Sequence, residues 1–155
     1  SGWQRIELNQ FGEGLVHTLL FADHRLWIGY GDKILRVDNQ DKLDLYASLT
    51  GGGSLGGPSF CISGNDIYTA DGTYFNGLDS ASPPIPYLKI APRVSEEDLR
   101  KVTAMQAALR NGLYCADDAN GPRLYATGLV PGDELEMKLF LIRPKFGGRL
   151  MAPAR

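Results

Sequence analysis

"GLVHTLLFADHRLWIGYGDKILRVDNQDKLDLYASL", Gly14 to Leu49, is the stretch whose reading decides the fold. It parses into four short apolar runs: Leu15–Phe21, Arg25–Tyr30, Lys33–Val37 and Leu43–Leu49. Between them stand Asp23-His24, Gly31-Asp32 and Asp38-Asn39-Gln40-Asp41. These are turn formers, because Gly accepts positive φ and Asp and Asn bond their own main chain. β-Branched and aromatic residues fill the runs, as a pleated, half-buried surface favours. The pattern predicts four consecutive antiparallel strands.

Working outward, "WQRIEL" (Trp3–Leu8) is a further strand candidate upstream. Downstream, "TGGGSLGGP" (Thr50–Pro58) is a glycine loop without the Lys-Ser/Thr that a phosphate loop requires. "SFCISGNDIYTADGTYF" predicts a strand pair about Gly64-Asn65-Asp66, and "DSASPPIP" (Asp79–Pro86) an irregular proline-rich loop. "VSEEDLRKVTAMQAALRNG" predicts one helix over Glu96–Arg110. Ser95 would cap it, three acids suit its first turn, and Asn111-Gly112 resembles a C-cap. "GLYCAD", "PRLYATG" and "ELEMKLFLI" are three more strand candidates. The predicted class is mainly β, with antiparallel blades and one helix near residues 96–110.

At 155 residues the chain is a single domain or one part of a larger one. Hydrophobic content of 43% and charged content of 22% are those of an ordinary globular protein. The net charge of −2 gives no general attraction to nucleic acid or to an anionic membrane. The locally basic end, with Arg143, Lys145, Arg149 and Arg155, reads as a solvated tail. No run of eighteen apolar residues and no signal peptide is evident, which favours the cytoplasm. The start at Ser1-Gly2 without Met implies a processed chain or one cut from a longer protein. Cys61 and Cys115 lie in apolar runs, where buried free thiols are expected.

A short motif recurs as "RLWIG", "DIYTA" and "GLYCA", anchored on Trp27, Tyr68 and Tyr114 at separations of 41 and 46 residues. Asp32, Asp71 and Asp117 follow the anchors. With "GNDIYTADG" and "NGLYCADDANGPRLYATG", the pattern resembles the blades of β-propellers, particularly NHL-type and related six-bladed ones. The resemblance covers Leu15 to Ile142 and implies about three propeller-like blades. Three blades do not close a ring. "WQRIEL" would then be the outer strand of a preceding blade and "GGRLMA" the start of a following one. The implied function is a non-catalytic binding or assembly module. Its partners would be another protein, the remaining propeller segment or further copies of the chain, with no nucleic acid, membrane or cofactor.

Residues 112–146 also resemble poly-ADP-ribose-polymerase-like ADP-ribosyltransferases. Gly112-Leu113-Tyr114-Cys115-Ala116 is followed by Tyr125 eleven residues after Tyr114. That resemblance implies an NAD-dependent enzyme in which Tyr114 and Tyr125 sandwich nicotinamide and Glu136, in "ELE" with Glu134, is catalytic. A third reading makes Cys61 a deamidase or hydrolase nucleophile with His17 or His24 as its base. Asp32, Asp71, Asp117 and Asp118 have no EF-hand spacing and read as turn caps. Trp27, Tyr30, Tyr74 and Phe75 could line a ligand site, although strand alternation places about half of such residues in the core.

Overall fold

The computed structural model describes residues 2–38, 40–49, 60–88, 108–118, 121–130, 136–144 and 149–153. They form three four-stranded antiparallel sheets. The first is the meander β1 (Val16–Ala22), β2 (Arg25–Tyr30), β3 (Lys33–Val37) and β4 (Leu43–Ser48). The second joins β5 (Phe60–Ser63), β6 (Asp66–Thr69), β7 (Thr73–Asn76) and β8 (Ile85–Pro86). The third joins β9 (Ala108–Asp118), β10 (Gly121–Val130), β11 (Glu136–Arg143) and β12 (Arg149–Pro153).

Turn chemistry sets the first meander. Asp23 and His24 both have positive φ, 53° and 58°. This is the two-residue hairpin turn whose twist matches the strands it joins, here Ala22 opposite Arg25. Gly31, with φ 57°, turns β2 into β3 without a Cβ penalty. Asp38 accepts the backbone N–H groups of Gln40 at 2.8 Å and Lys42 at 2.9 Å, closing the turn into β4. Those two bonds hold its carboxyl below the usual range.

The sheets pack in layers. Between the first and second lie Trp27, Ile34, Tyr46 and Leu49 against Phe60, Ile67, Phe75 and Leu78. Between the second and third lie Cys61, Tyr68, Tyr87 and Leu88 against Leu124, Ala126, Phe140 and Ile142. Ile67 and Tyr68 are neighbours in β6 but serve opposite layers, because side chains alternate across a strand. The second sheet is therefore apolar on both faces. Arg36 adds a polar tie: its guanidinium meets Asp44 in the adjacent strand and donates to the Leu78 carbonyl at 2.5 Å.

These sheets correct the propeller expectation. They are open meanders, and among the described residues none closes into a ring. Tyr114, the third anchor of the motif, shows the difference. Trp27 and Tyr68 are buried between layers, whereas Tyr114 is 67% exposed. "GGRLMA" starts no further unit: Arg149–Pro153 turns back as β12 and pairs with β11. "WQRIEL" is no strand but a strap without regular secondary structure. The binding or assembly module inferred from propeller-like blades falls with them.

The predicted helix is also corrected where it can be seen. Most of Glu96–Arg110 lies outside the described residues, but Ala108–Arg110 belongs to β9. Ala108 pairs with Leu129 and Leu109 with Gly128. The register then slips, so that Leu113 faces Ala126. Four steps on β9 thus match two on β10, and Asn111-Gly112 falls inside this bulge rather than at a helix end. Pairing with β10 overrides the local helical preference. Among the described residues the only helical turn is a 3₁₀ turn at Asn9–Phe11, and no helix is long and apolar enough to cross a membrane.

Candidate functional site: an apolar groove on the first sheet

The outward face of the first sheet is as apolar as its inward one. Phe21, Leu26, Val37 and Leu43 face one another across all four strands. Beside them runs a second row, Leu19, Ile28, Leu35 and Leu45. Only part of this surface is covered. Leu8 and Phe11, from the strap and its 3₁₀ turn, pack on Ile28, Tyr30 and Leu35. The Tyr30 hydroxyl donates to the Gly12 carbonyl at 2.7 Å and anchors the strap.

Where the strap stands off the sheet, a groove of about 720 Å³ opens. Leu26, Ile28, Val37 and Leu43 contribute its floor, Gln4 to Ile6 one wall, and His24 at one turn with Asp38 and Asp41 at another its ends. Phe21 is 75% exposed and Ile6 66% exposed at its edge. The charged groups around it are largely engaged. Arg5 pairs with Glu7 at 2.9 Å, Arg25 with Asp79 at 3.3 Å, and Asp38 with backbone N–H groups. The groove thus presents hydrocarbon and aromatic surface within a rim of mostly paired charge, to which Asp41 adds a further carboxylate. Its volume falls in the range of small-molecule sites.

The residues singled out from sequence lie elsewhere. Cys61 and Cys115 are joined in a disulfide, with 5.6 Å between their Cα atoms. Cys61 therefore carries no thiolate in this state, which removes the nucleophile reading and corrects the expected free thiols. The His17 ring has its own partners. Gly31 carbonyl can only accept, so Nε2, 3.0 Å away, carries the hydrogen. Nδ1 then accepts from the Thr18 hydroxyl at 2.8 Å. A Cβ on Gly29 would lie 2.4 Å from the ring, so glycine there makes room for it. His24 lies in the β1–β2 turn at one end of the groove.

Tyr114 and Tyr125 are direct cross-strand partners. Their side chains stand beside each other on one face of a sheet rather than facing across a cleft. The Arg123 guanidinium lies 6.0 Å from the centre of the Tyr125 ring. Tyr125 pairs with Leu141, and Glu136 begins the same strand β11. Along the strand the backbone of Glu136 lies five residues, about 17 Å, from the position paired with Tyr125. Glu134 lies outside the described residues. The arrangement supplies no NAD site, and the transferase expectation is corrected on this geometry.

The turn aspartates are dispersed. Asp32 bonds Lys33 at 2.7 Å, Asp71 bonds Thr69 and Thr73, and Asp117 accepts from Ser63. Of Asp118 the backbone closes β9. No group of three metal-ligating side chains occurs among the described residues. Of the aromatic candidates, Trp27, Tyr30 and Phe75 are core, and Tyr74 packs on Tyr68 with ring centres 5.4 Å apart.

Burial lowers the His17 pKa below its ordinary value, opposed by the bond to Gly31. In the pH interval just below 6.5 the unfolded chain takes up the proton while the folded ring stays neutral. Stability from this group is therefore complete above that value and declines as pH falls through it. We expect His17→Gln to flatten the rise in urea midpoint between pH 5 and 7. NMR titration of the ring should show a midpoint below 6.5.

The groove was missed from sequence although its signal is present. Leu19 and Phe21 alternate with Leu20 and Ala22, so β1 is apolar in both phases and carries an apolar face beyond the one the core uses. No protein-family model, curated protein or solved structure matches this chain.

Proposed function

We propose that the chain binds a small, predominantly apolar and uncharged molecule in the groove between the strap and the outward face of the first sheet. The observation that carries this reading is the open apolar floor itself: Leu26, Ile28, Val37 and Leu43 backed by a sheet and roofed on one side. Monomeric proteins seldom leave such a continuous apolar surface without a use. The geometry supports retention rather than chemistry, since the groove brings no nucleophile beside a base. An anionic ligand would lose hydration and meet the Asp38 and Asp41 carboxylates at the end of the groove.

The test is a titration of the full chain with the uncharged fluorophore Nile red. Binding should saturate at one molecule per chain with a blue-shifted emission. Phe21→Asp and Ile6→Asp alter exposed side chains and should leave the unfolding midpoint unchanged. Each should weaken binding by about tenfold, the scale of one lost apolar contact area plus a charge at the mouth. Equal affinity in the wild type and both variants would dismiss the groove as the site.

A further inference from the structure

We infer that the Cys61–Cys115 disulfide is a redox-sensitive joint holding the third sheet on the second, and that the chain works in an oxidising compartment. The two cysteines lie on β5 and β9, which are the edge strands of their sheets. Two residues further along each strand, the Ser63 hydroxyl donates to Asp117. The links Cys61–Cys115 and Ser63–Asp117 advance in the same direction, so the two edges lie alongside each other in parallel. They form a seam over the apolar layer of Tyr68, Tyr87, Leu124 and Phe140.

The bond spans 54 residues of sequence. Without it, each docking of the third sheet must close a long chain segment, and the cross-link removes that entropy cost from folding. The reaction is thiol–disulfide exchange with a low-molecular-weight thiol. The sulfur–sulfur bond breaks, Cys61 and Cys115 each gain an electron and a proton, and two donor thiols become one disulfide. Cys61 is buried, while Cys115 is only partly so, which makes the Cys115 sulfur the accessible point of attack. Structural disulfides persist in oxidising compartments and are uncommon in reducing ones. The bond points away from the cytoplasm favoured by the sequence reading.

The experiment uses the full chain refolded in an oxidising glutathione buffer, before and after reduction with a phosphine. A thiol-specific chromogenic reagent, applied under denaturing conditions, should find no thiols before reduction and two after. Reduction should lower the melting temperature by on the order of 10 °C. Hydrogen exchange should show protection of β9–β11 falling at least tenfold while β2 and β3 keep theirs. A Cys61→Ser/Cys115→Ser variant should reproduce the reduced pattern. Two free thiols in the oxidising buffer, or an unchanged melting temperature, would overturn the proposal. So would an equal loss of protection in all three sheets or a double variant that fails to fold, since either makes the bond a staple of the whole fold rather than a joint.

Discussion

Replacing Trp27 with alanine should lower the free energy of unfolding by about 3–5 kcal/mol. The ring is fully buried and meets Tyr46 edge-on at 5.1 Å between ring centres. Tyr46 in turn meets Phe75 of the second sheet at 6.0 Å. The Trp27 indole N–H also donates to the Ala22 carbonyl at 3.1 Å, pinning the end of β1. Alanine removes the packing of one layer and leaves that carbonyl without its donor. Phenylalanine keeps much of the apolar area but not the hydrogen bond, so it should lose less. Urea denaturation followed by circular dichroism checks both. The other tryptophan, Trp3, is 95% exposed. The blue-emitting component of fluorescence should therefore vanish in Trp27→Ala while the red component remains. An unchanged midpoint would mean that the layer between the first two sheets does not depend on this ring.

Arg36→Ala should cost about 3 kcal/mol, the scale of removing a largely buried, hydrogen-bonded charge. The side chain is only 14% exposed although it stands on a strand face otherwise given to the core. It bonds Asp44 through Nε at 3.1 Å and Nη2 at 3.3 Å. It also covers the rings of Trp27 and Tyr46 at 5.9 and 5.5 Å, and reaches the Leu78 carbonyl. The Tyr46 hydroxyl donates to the neighbouring Gly77 carbonyl, so both groups hold the same loop of the second sheet. Lysine should not rescue the loss, because one ammonium cannot supply the fork to Asp44 and the bond to Leu78 together. Asp44 is 45% exposed, so Asp44→Ala should cost much less. In a double-mutant cycle most of the Arg36 effect should survive in the Asp44→Ala background. If the two single variants cost the same and the coupling equals either, Arg36 is an ordinary cross-strand pair and does not join the sheets.

The local fold was legible where turns and side-chain period agree. Arg25–Tyr30 and Lys33–Val37 are the observed β2 and β3, while Leu15–Phe21 is displaced by one residue at both ends from β1 and Leu43–Leu49 runs one residue past β4. Legibility failed where distant pairing decides. Asn111-Gly112 carries a helix-ending signal, yet β10 pairs on both sides of it and absorbs the pair as a bulge. The recurrence of Trp27, Tyr68 and Tyr114 reflects a shared need for strand–turn–strand units, and says nothing about whether the sheets close on one another. The disulfide was hidden for a similar reason: Cys61 and Cys115 meet only because two edge strands run side by side. The candidate site was half legible. Its floor residues were assigned to strands correctly, but a face is visible as a groove only once the strap from Gln4 to Ile6 is seen to stand off it.

The groove itself is tested most directly by an amide chemical-shift map of the full chain titrated with an uncharged aromatic alcohol, such as naphthalenemethanol. The account predicts saturable shifts at Leu26, Ile28, Val37 and Leu43 and along Gln4–Ile6, with the third sheet silent. Shifts that never saturate, or that gather around Tyr114 and Leu139 on the outward face of the third sheet, would contradict it.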